Sequence, residues 1–352
     1  MQSQILLPIL IASITTFVSI YLLRPFAISI NLLDSPNSRK RHIGAIPLIG
    51  GIAMFIGVIV GILITSNDLN QYKYFLLTSA MIVMLGVLDD HHEISVSLRL
   101  FFQTLAAIII VTVGGLSIES LGNLFGLSEI ILDEWSFFLT VLAIITGMNA
   151  VNMADGIHGL AGGNSLVTFI AIFFLSFGNY SNSSVLIVLL FCSVIPVFLI
   201  NNLCIGISKE KRIFMGDAGS MFVGLGIVWV LIELSQGESR MFSPVIALWL
   251  FALPLIEIVT ATFRRISSGK SPFKSDLYHS HHLLLRLGIG ERKTLLIILF
   301  VSILMSLIGV LGEIYAIAEW IMFIGFLIIS GIYILINKML LVNINNNGNH
   351  DK

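Results

Sequence analysis

The sequence predicts an all-α fold: a polytopic integral membrane helical bundle of about eleven transmembrane helices forming a single domain. Three observations carry this. Only 11% of the 352 residues are charged, against roughly a quarter in a soluble domain, while 57% are hydrophobic and the mean hydropathy is +0.99. The apolar residues gather in runs near the ~20 residues that cross a hydrocarbon core. The charges fall between those runs.

Residues 3–23 carry no side-chain charge and lead directly into Arg24, with no basic start and no small-x-small cleavage site. They read as a retained first span, not a cleaved signal peptide. Further spans follow at 47–65, 73–88, 99–115 and 135–153; the 73–88 run is short, which predicts a broken or tilted inner end. One uncharged stretch between Asp155 and Lys209 is long enough to cross twice and is interrupted by GNYSNSS, giving 160–178 and 184–204. The remaining runs are 218–235, 243–263, 294–312 and 319–340. The single membrane domain is thus 1–341, and the polar NINNNGNHDK predicts a disordered tail over 342–352.

An odd number of spans puts the termini on opposite sides of the membrane. With the N-terminus outside and the C-terminus in the cytoplasm, 17 of the 19 Lys and Arg residues face the cytoplasm, all but Lys73 and Arg240. That is the bias of the positive-inside rule. The cytoplasmic loops are then 24–46, 89–98, 154–160, 205–217 and 264–293, and all eight histidines lie on cytoplasmic segments. A net charge of -1 leaves no footprint for nucleic acid. Cys192 and Cys204, the only cysteines, cannot build a disulfide framework or a zinc site.

The inner loops also collect acids at helix ends. Asp89 and Asp90 close the third span in MLGVLDDHHEIS, with Glu93 three residues on and Ser97 a candidate cap for the next helix. Adjacent carboxylates that lose hydration want a cation or a shared proton. In GMNAVNMADGIHGLAGGNS, Asn149, Asn152 and Asp155 recur every three residues, which predicts two amides and a carboxylate near one helix face. The glycines beside them let backbone approach a ligand closely. In KEKRIFMGDAGS, Asp217 precedes the eighth span between two glycines. It suits Mg²⁺, which takes one or two acids plus phosphate oxygens and water, although helix capping by Asp217 or Ser220 would explain the same pattern. The last inner loop carries His279, His281 and His282 among many bases, with Arg286 four residues after His282. HxHH could bind a transition metal; so much positive charge better suits a diphosphate. Acids for a divalent cation and bases for phosphates on one membrane face predict phosphoryl transfer, in which positioning and charge neutralisation do most of the catalysis.

At these motifs the chain resembles the polyprenyl-phosphate N-acetylhexosamine-1-phosphate transferases. The resemblance runs from SPNSRKRHIGAIPLIGG through DDHHEIS, NAVNMADGIHGLAGG and FMGDAGS to SPFKSDLYHSHHLLLRLG, about residues 30 to 295. It implies an eleven-span, N-out protein of the bacterial cytoplasmic (inner) membrane, with Mg²⁺ or Mn²⁺ as cofactor and room for a homodimer. His279-Ser280-His281-His282 is similar to the HxHH of the branch using UDP-N-acetylglucosamine. The implied reaction transfers N-acetylglucosamine 1-phosphate from UDP-N-acetylglucosamine to undecaprenyl phosphate, releasing UMP, as the first step of O-antigen or cell-surface polysaccharide synthesis. By the same resemblance Asp89, Asp90 and Asp155 are catalytic, Asp217 with Asp90 holds the metal, and Asn149, Asn152, His158, His279, His281, His282 and Arg286 bind substrate. Two positions depart from the family pattern. Glu93 stands for the third acid of DDxxD, and His158 stands where the family usually has Asp in GIDG, either as a nitrogen ligand to the metal or as a contact to uridine or sugar.

Other readings are the lipid I branch, a relative using another UDP-N-acetylhexosamine, a transporter, or a scaffold without chemistry. A transporter would spread its acids through the bilayer, whereas here they collect at one face; Glu257 is the exception, about two turns from Arg264, where it could pair. The sidedness is directly testable. With both native cysteines changed to serine, Ser271→Cys should react only with thiol reagents that enter the cytoplasm, and Ser183→Cys should react from outside. Outside labelling at 271 would reverse the topology.

Overall fold

The computed structural model describes residues 2–34, 44–65, 69–179, 182–271 and 278–347. The part of the first motif around His42, and Lys274 in the last loop, lie outside the described residues. The chain is helical almost throughout. Its helices are α1 (Gln2–Ser29), α2 (Gly50–Thr65), α3 (Lys73–His92), α4 (Val96–Thr112), α5 (Trp135–Ala154), α6 (Leu160–Ser176) and α7 (Ser183–Leu203). They continue with α8 (Gly216–Ser235), α9 (Pro244–Leu250), α10 (Ala252–Ser267), α11 (Ser280–Arg286), α12 (Glu291–Ile314) and α13 (Glu319–Asn347). The only strands among the described residues, β1 (Leu33–Asp34) and β2 (Ile46–Pro47), pair antiparallel in the first inner loop.

Among the described residues, seven helices are long and apolar enough to cross a membrane, or up to eight if the bent pair α9 and α10 is one span, while α2, α4 and α6 are shorter apolar helices. Each predicted run contains a helix, but not all of the eleven expected crossings are of spanning length. Two boundaries differ from expectation. Helix α13 continues to Asn347, into the stretch predicted as tail; residues 348–352 lie outside the described set. Ser95, not Ser97, caps α4, its Oγ accepting the Leu98 N–H at 3.3 Å.

Helix α8 is the axis of the bundle and is buried along almost all its length, from Gly216 to Ser235. It packs against α3 and α5, and the small residues that line it let the backbones approach closely. The outward faces of α1, α12 and α13 remain apolar and exposed, as lipid-facing surfaces should be, with Leu22, Phe300 and Leu335 among them.

The run predicted as one span over 243–263 instead bends by 84° between α9 and α10. Pro254 explains the break. Proline has no N–H, so the Leu250 carbonyl four residues earlier loses its helical partner. In a membrane interior such a group must be satisfied by protein. The Thr168 hydroxyl donates to it at 2.9 Å from α6 and the Ser306 hydroxyl at 3.5 Å from α12. Replacing Thr168 by Val should leave that carbonyl with one long bond and cost roughly 1 kcal/mol of stability. Thermal unfolding in detergent would show it as a lowered Tm; an unchanged Tm would mean that Ser306 alone suffices.

Candidate active site

The motif loops converge at one end of the helices. Asp90, at the end of α3, accepts the Asp217 N–H at 2.8 Å on Oδ1 and the Ala218 N–H at 3.3 Å on Oδ2. It thereby caps α8 from a neighbouring helix, where unpaired N–H groups and the helix dipole favour an anion. Asp217 does not cap its own helix. Its Oδ1 accepts Asn152 Nδ2 at 2.6 Å, and the same amide reaches Ser220 Oγ at 3.0 Å. Gly216 makes the approach possible: it has φ +71°, and a Cβ there would lie 2.4 Å from the Asp90 carboxylate.

Asp89 is buried, and Arg99 Nη1 from α4 pairs with its Oδ2 at 3.0 Å while lying 3.9 Å from Asp217 Oδ2. One guanidinium thus offsets two of the clustered acids. Asp155 ends α5 as its C-cap. Its surface opens to solvent, which tempers the effect of its surroundings, yet the packed protein around it first, and the Asp217 and Asp34 carboxylates next, raise its pKa to about 7.

The polar face predicted over 149–155 splits. Asn152 joins Asp217, but Asn149 turns to Gln103 Oε1 on α4 at 2.8 Å and to the Ile145 carbonyl of its own helix at 2.8 Å. A step of three residues falls about 60° short of a full helical turn, so the two amides drift onto different neighbours.

The histidine loop closes the other side. Glu257 accepts from His279 Nδ1 at 3.0 Å and from Ser280. His281 is buried, its Nε2 without a hydrogen-bond partner among the described residues, and packed so closely on Gly156 that a Cβ there would meet that nitrogen at 2.1 Å. Burial, with His282 and His279 beside it, lowers its pKa to about 3, so the ring stays neutral. His282 packs ring to ring on His281 at 4.1 Å. Arg286 and Arg264 lie over the Tyr278 ring at 5.7 and 5.3 Å, cation–π contacts that steady two of the loop's bases.

His158 sits on the basic side of this end. Its Nε2 lies 2.8 Å from Arg212 Nη1, its backbone N–H donates to Glu291 Oε1 at 3.0 Å, and its ring faces Phe214 at 5.2 Å. With Nε2 engaged by a guanidinium, that nitrogen is not offered to a metal in this arrangement. Arg99, Arg212, Gln103 and Glu291 belong to the network although no motif contains the first, third or fourth. Arg212 alone carried a hint, in KEKRIFMGDAGS, five residues before Asp217.

Residues 72–235 match Glycosyl transferase family 4, and this segment holds the whole acidic cluster. The chain is also 39% identical over 316 residues to the undecaprenyl-phosphate alpha-N-acetylglucosaminyl 1-phosphate transferase of Yersinia pestis, covering 89% of this chain and 86% of that one. The protein of the same name from Haemophilus influenzae is 39% identical over 334 residues, 94% of this chain and 93% of the relative. That from Shigella flexneri is 37% identical over 325 residues, 91% and 88%. The chain belongs to this transferase family. Family membership makes the chain an enzyme that transfers a sugar 1-phosphate.

The Asp155 environment has a consequence for stability. A carboxyl with a raised pKa costs the folded state nothing while it is protonated, and the cost grows as pH rises from the ordinary carboxylate range toward about 7. Asp155→Asn should therefore melt at a higher temperature than the unchanged protein at pH 8 in EDTA, with the difference vanishing near pH 4. An equal difference at both pH values would show that ionisation of Asp155 is not the cause.

Proposed function

We propose that this protein transfers N-acetylglucosamine 1-phosphate from UDP-N-acetylglucosamine to undecaprenyl phosphate, giving undecaprenyl-diphosphate-N-acetylglucosamine and UMP. The observation that carries the reading is the joining of Asp89, Asp90, Asn152 and Asp217 at one end of apolar helices, in a chain so similar to transferases of that name. The site lies on the cytoplasmic face of a bacterial inner membrane in an eleven-span, N-out topology, the arrangement that the Lys and Arg distribution favours.

In the reaction an oxygen of the lipid phosphate attacks the sugar-bearing phosphorus of the nucleotide sugar. The bond from that phosphorus to the bridging oxygen breaks, and the bridging oxygen departs with UMP. A phosphate monoester has its second pKa at about 6, so near neutrality the attacking group is already mostly dianionic and needs orientation more than deprotonation. No covalent aspartyl-phosphate is required. Arg99 and Asn152 hold Asp89 and Asp217 in place, and Asp155 borders the same space. The neutral His281, the ring of His282, and Arg286 steadied on Tyr278 wall the nucleotide-sugar side.

The donor set fits Mg²⁺ or Mn²⁺: the available groups are hard carboxylate oxygens, and one or two acids suffice when phosphates supply the rest. No group of three metal-binding side chains is preassembled among the described residues, in keeping with a cation that arrives with its substrate. Asp217 and Asp90 would hold it, and it would neutralise charge on the reacting phosphates.

Purified protein supplied with undecaprenyl phosphate and a panel of UDP-sugars should release UMP fastest with UDP-N-acetylglucosamine, and Asp217→Asn should lower the rate by about 10²-fold or more while leaving the fold intact. Preference for the muramoyl-pentapeptide nucleotide would move the chain to the lipid I branch. Near-normal turnover of Asp217→Asn at saturating Mg²⁺ would remove Asp217 from the metal.

A further inference from the structure

Glu257 is an acid in the apolar run LPLIEIVTATF, one place where the chain puts a charge well inside a helix of the bundle. Among the described residues its hydrogen bonds come from the start of α11 and from α13, where the sequence suggests pairing with Arg264. Four donors from two other elements converge on it instead. Oε2 accepts from His279 Nδ1 at 3.0 Å. Oε1 accepts the Ser280 N–H at 3.2 Å, the Ser280 hydroxyl, and the Tyr333 hydroxyl from α13 at 2.5 Å. Four donors on two oxygens suit a carboxylate anion, which only accepts; a protonated acid would have to displace one of them.

The consequences pass along α11. Donation from Nδ1 fixes the His279 tautomer, and the Ser280 contacts fix where α11 begins. The first turn of α11 carries His281, whose ring is pressed on Gly156, next to Asp155. A carboxylate on α10 and a phenol on α13 thus set the position of the histidine loop against the end of α5.

We propose that Glu257, backed by Tyr333, is a positioning residue for the nucleotide-sugar side of the site: it touches neither substrate, and acts by holding His279 and Ser280 so that α11 stands against Gly156. This rests on the activity proposed above. It separates the two substrates, because the bonds to Glu257 come from His279, Ser280 and Tyr333 and not from the acidic cluster of Asp89 and Asp90.

The test measures kcat and the two Michaelis constants separately for the full-length protein and for Glu257→Ala, Glu257→Gln and Tyr333→Phe, with Tm as a control. Glu257→Ala should raise the KM for UDP-N-acetylglucosamine about tenfold and leave that for undecaprenyl phosphate within about twofold. Glu257→Gln keeps acceptor capacity for Ser280 and should shift the same constant less, as should Tyr333→Phe. If Glu257→Ala does not fold, the two milder variants carry the test. Lowered Tm and kcat with both KM values unchanged would reduce Glu257 to a structural role and overturn the proposal. A second measurement does not depend on turnover: carbethoxylation by diethyl pyrocarbonate, mapped by mass spectrometry, should be slow at His279 in the unchanged protein and faster in Glu257→Gln, relative to exposed His91. If the unchanged protein transfers nothing from UDP-N-acetylglucosamine, the activity reading fails while the His279 comparison still decides the positioning; equal His279 reactivity in both proteins overturns it.

Discussion

The bond from the first N–H groups of α8 to the Asp90 carboxylate is the contact on which the rest of the molecule depends. It joins the end of α3 to the start of the central helix, and its geometry needs a glycine with φ +71° at residue 216. Because Asp217 follows that glycine, the cap that organises the bundle also sets where the next carboxylate stands. Asn152 then ties α5 to the same point. Three helices meet at one knot of hydrogen bonds, and the knot is the candidate site.

Acids so close repel one another, and burial strips away the water that would screen them. The fold answers with groups that need no side-chain charge, the N–H groups at the start of α8, and with a single guanidinium, Arg99, set between Asp89 and Asp217. Among the described residues, the carboxylates of Asp89, Asp90 and Asp217 thus share one guanidinium and the first N–H groups of α8. At the opposite end of the helices, charge is arranged differently: Arg240 lies within 3.8 Å of both Glu129 and Glu319, and Glu319 accepts the Asn123 N–H. There Glu319 meets both a guanidinium and a backbone donor, and so helps to hold the loops of that end together.

Much of this was legible in the sequence because a bilayer imposes simple rules. Charges mark the ends of helices, so the helix positions followed from where charges are missing, and the acidic motifs stood out against an apolar background. What escaped depends on contacts between distant elements. The bend at Phe251 lies in an uncharged run, so charge-to-charge reading passes straight through it; Pro254 was the available clue, but whether a proline breaks a helix depends on partners such as Thr168, more than eighty residues away. Arg99 looked like one more cytoplasmic charge, and Glu257 like a partner for Arg264, until packing placed them beside Asp89 and His279. Asn149 shows the converse. Its regular spacing from Asn152 was real, but the helix rotates it toward Gln103.

His158 brings these strands together. The family resemblance expects a carboxylate at this position, and an imidazole there would leave the neighbourhood of Arg212 more positive by one charge. The structure places another carboxylate close by: Glu291, at the start of α12, accepts the His158 backbone N–H at 3.0 Å and lies 3.8 Å from the ring nitrogen that faces Arg212. An imidazole nitrogen that accepts from a guanidinium must be unprotonated, so the ring is neutral in this arrangement and its other nitrogen carries the hydrogen. Arg212 therefore meets a neutral acceptor with an acid beside it. The carboxylate nearest the ring stands on Glu291, in the first turn of α12. That is a suitable place for it, because an anion at a helix N-terminus is favoured by the dipole. The imidazole at residue 158 thus faces Arg212 without adding charge, while α12 supplies the carboxylate of this neighbourhood.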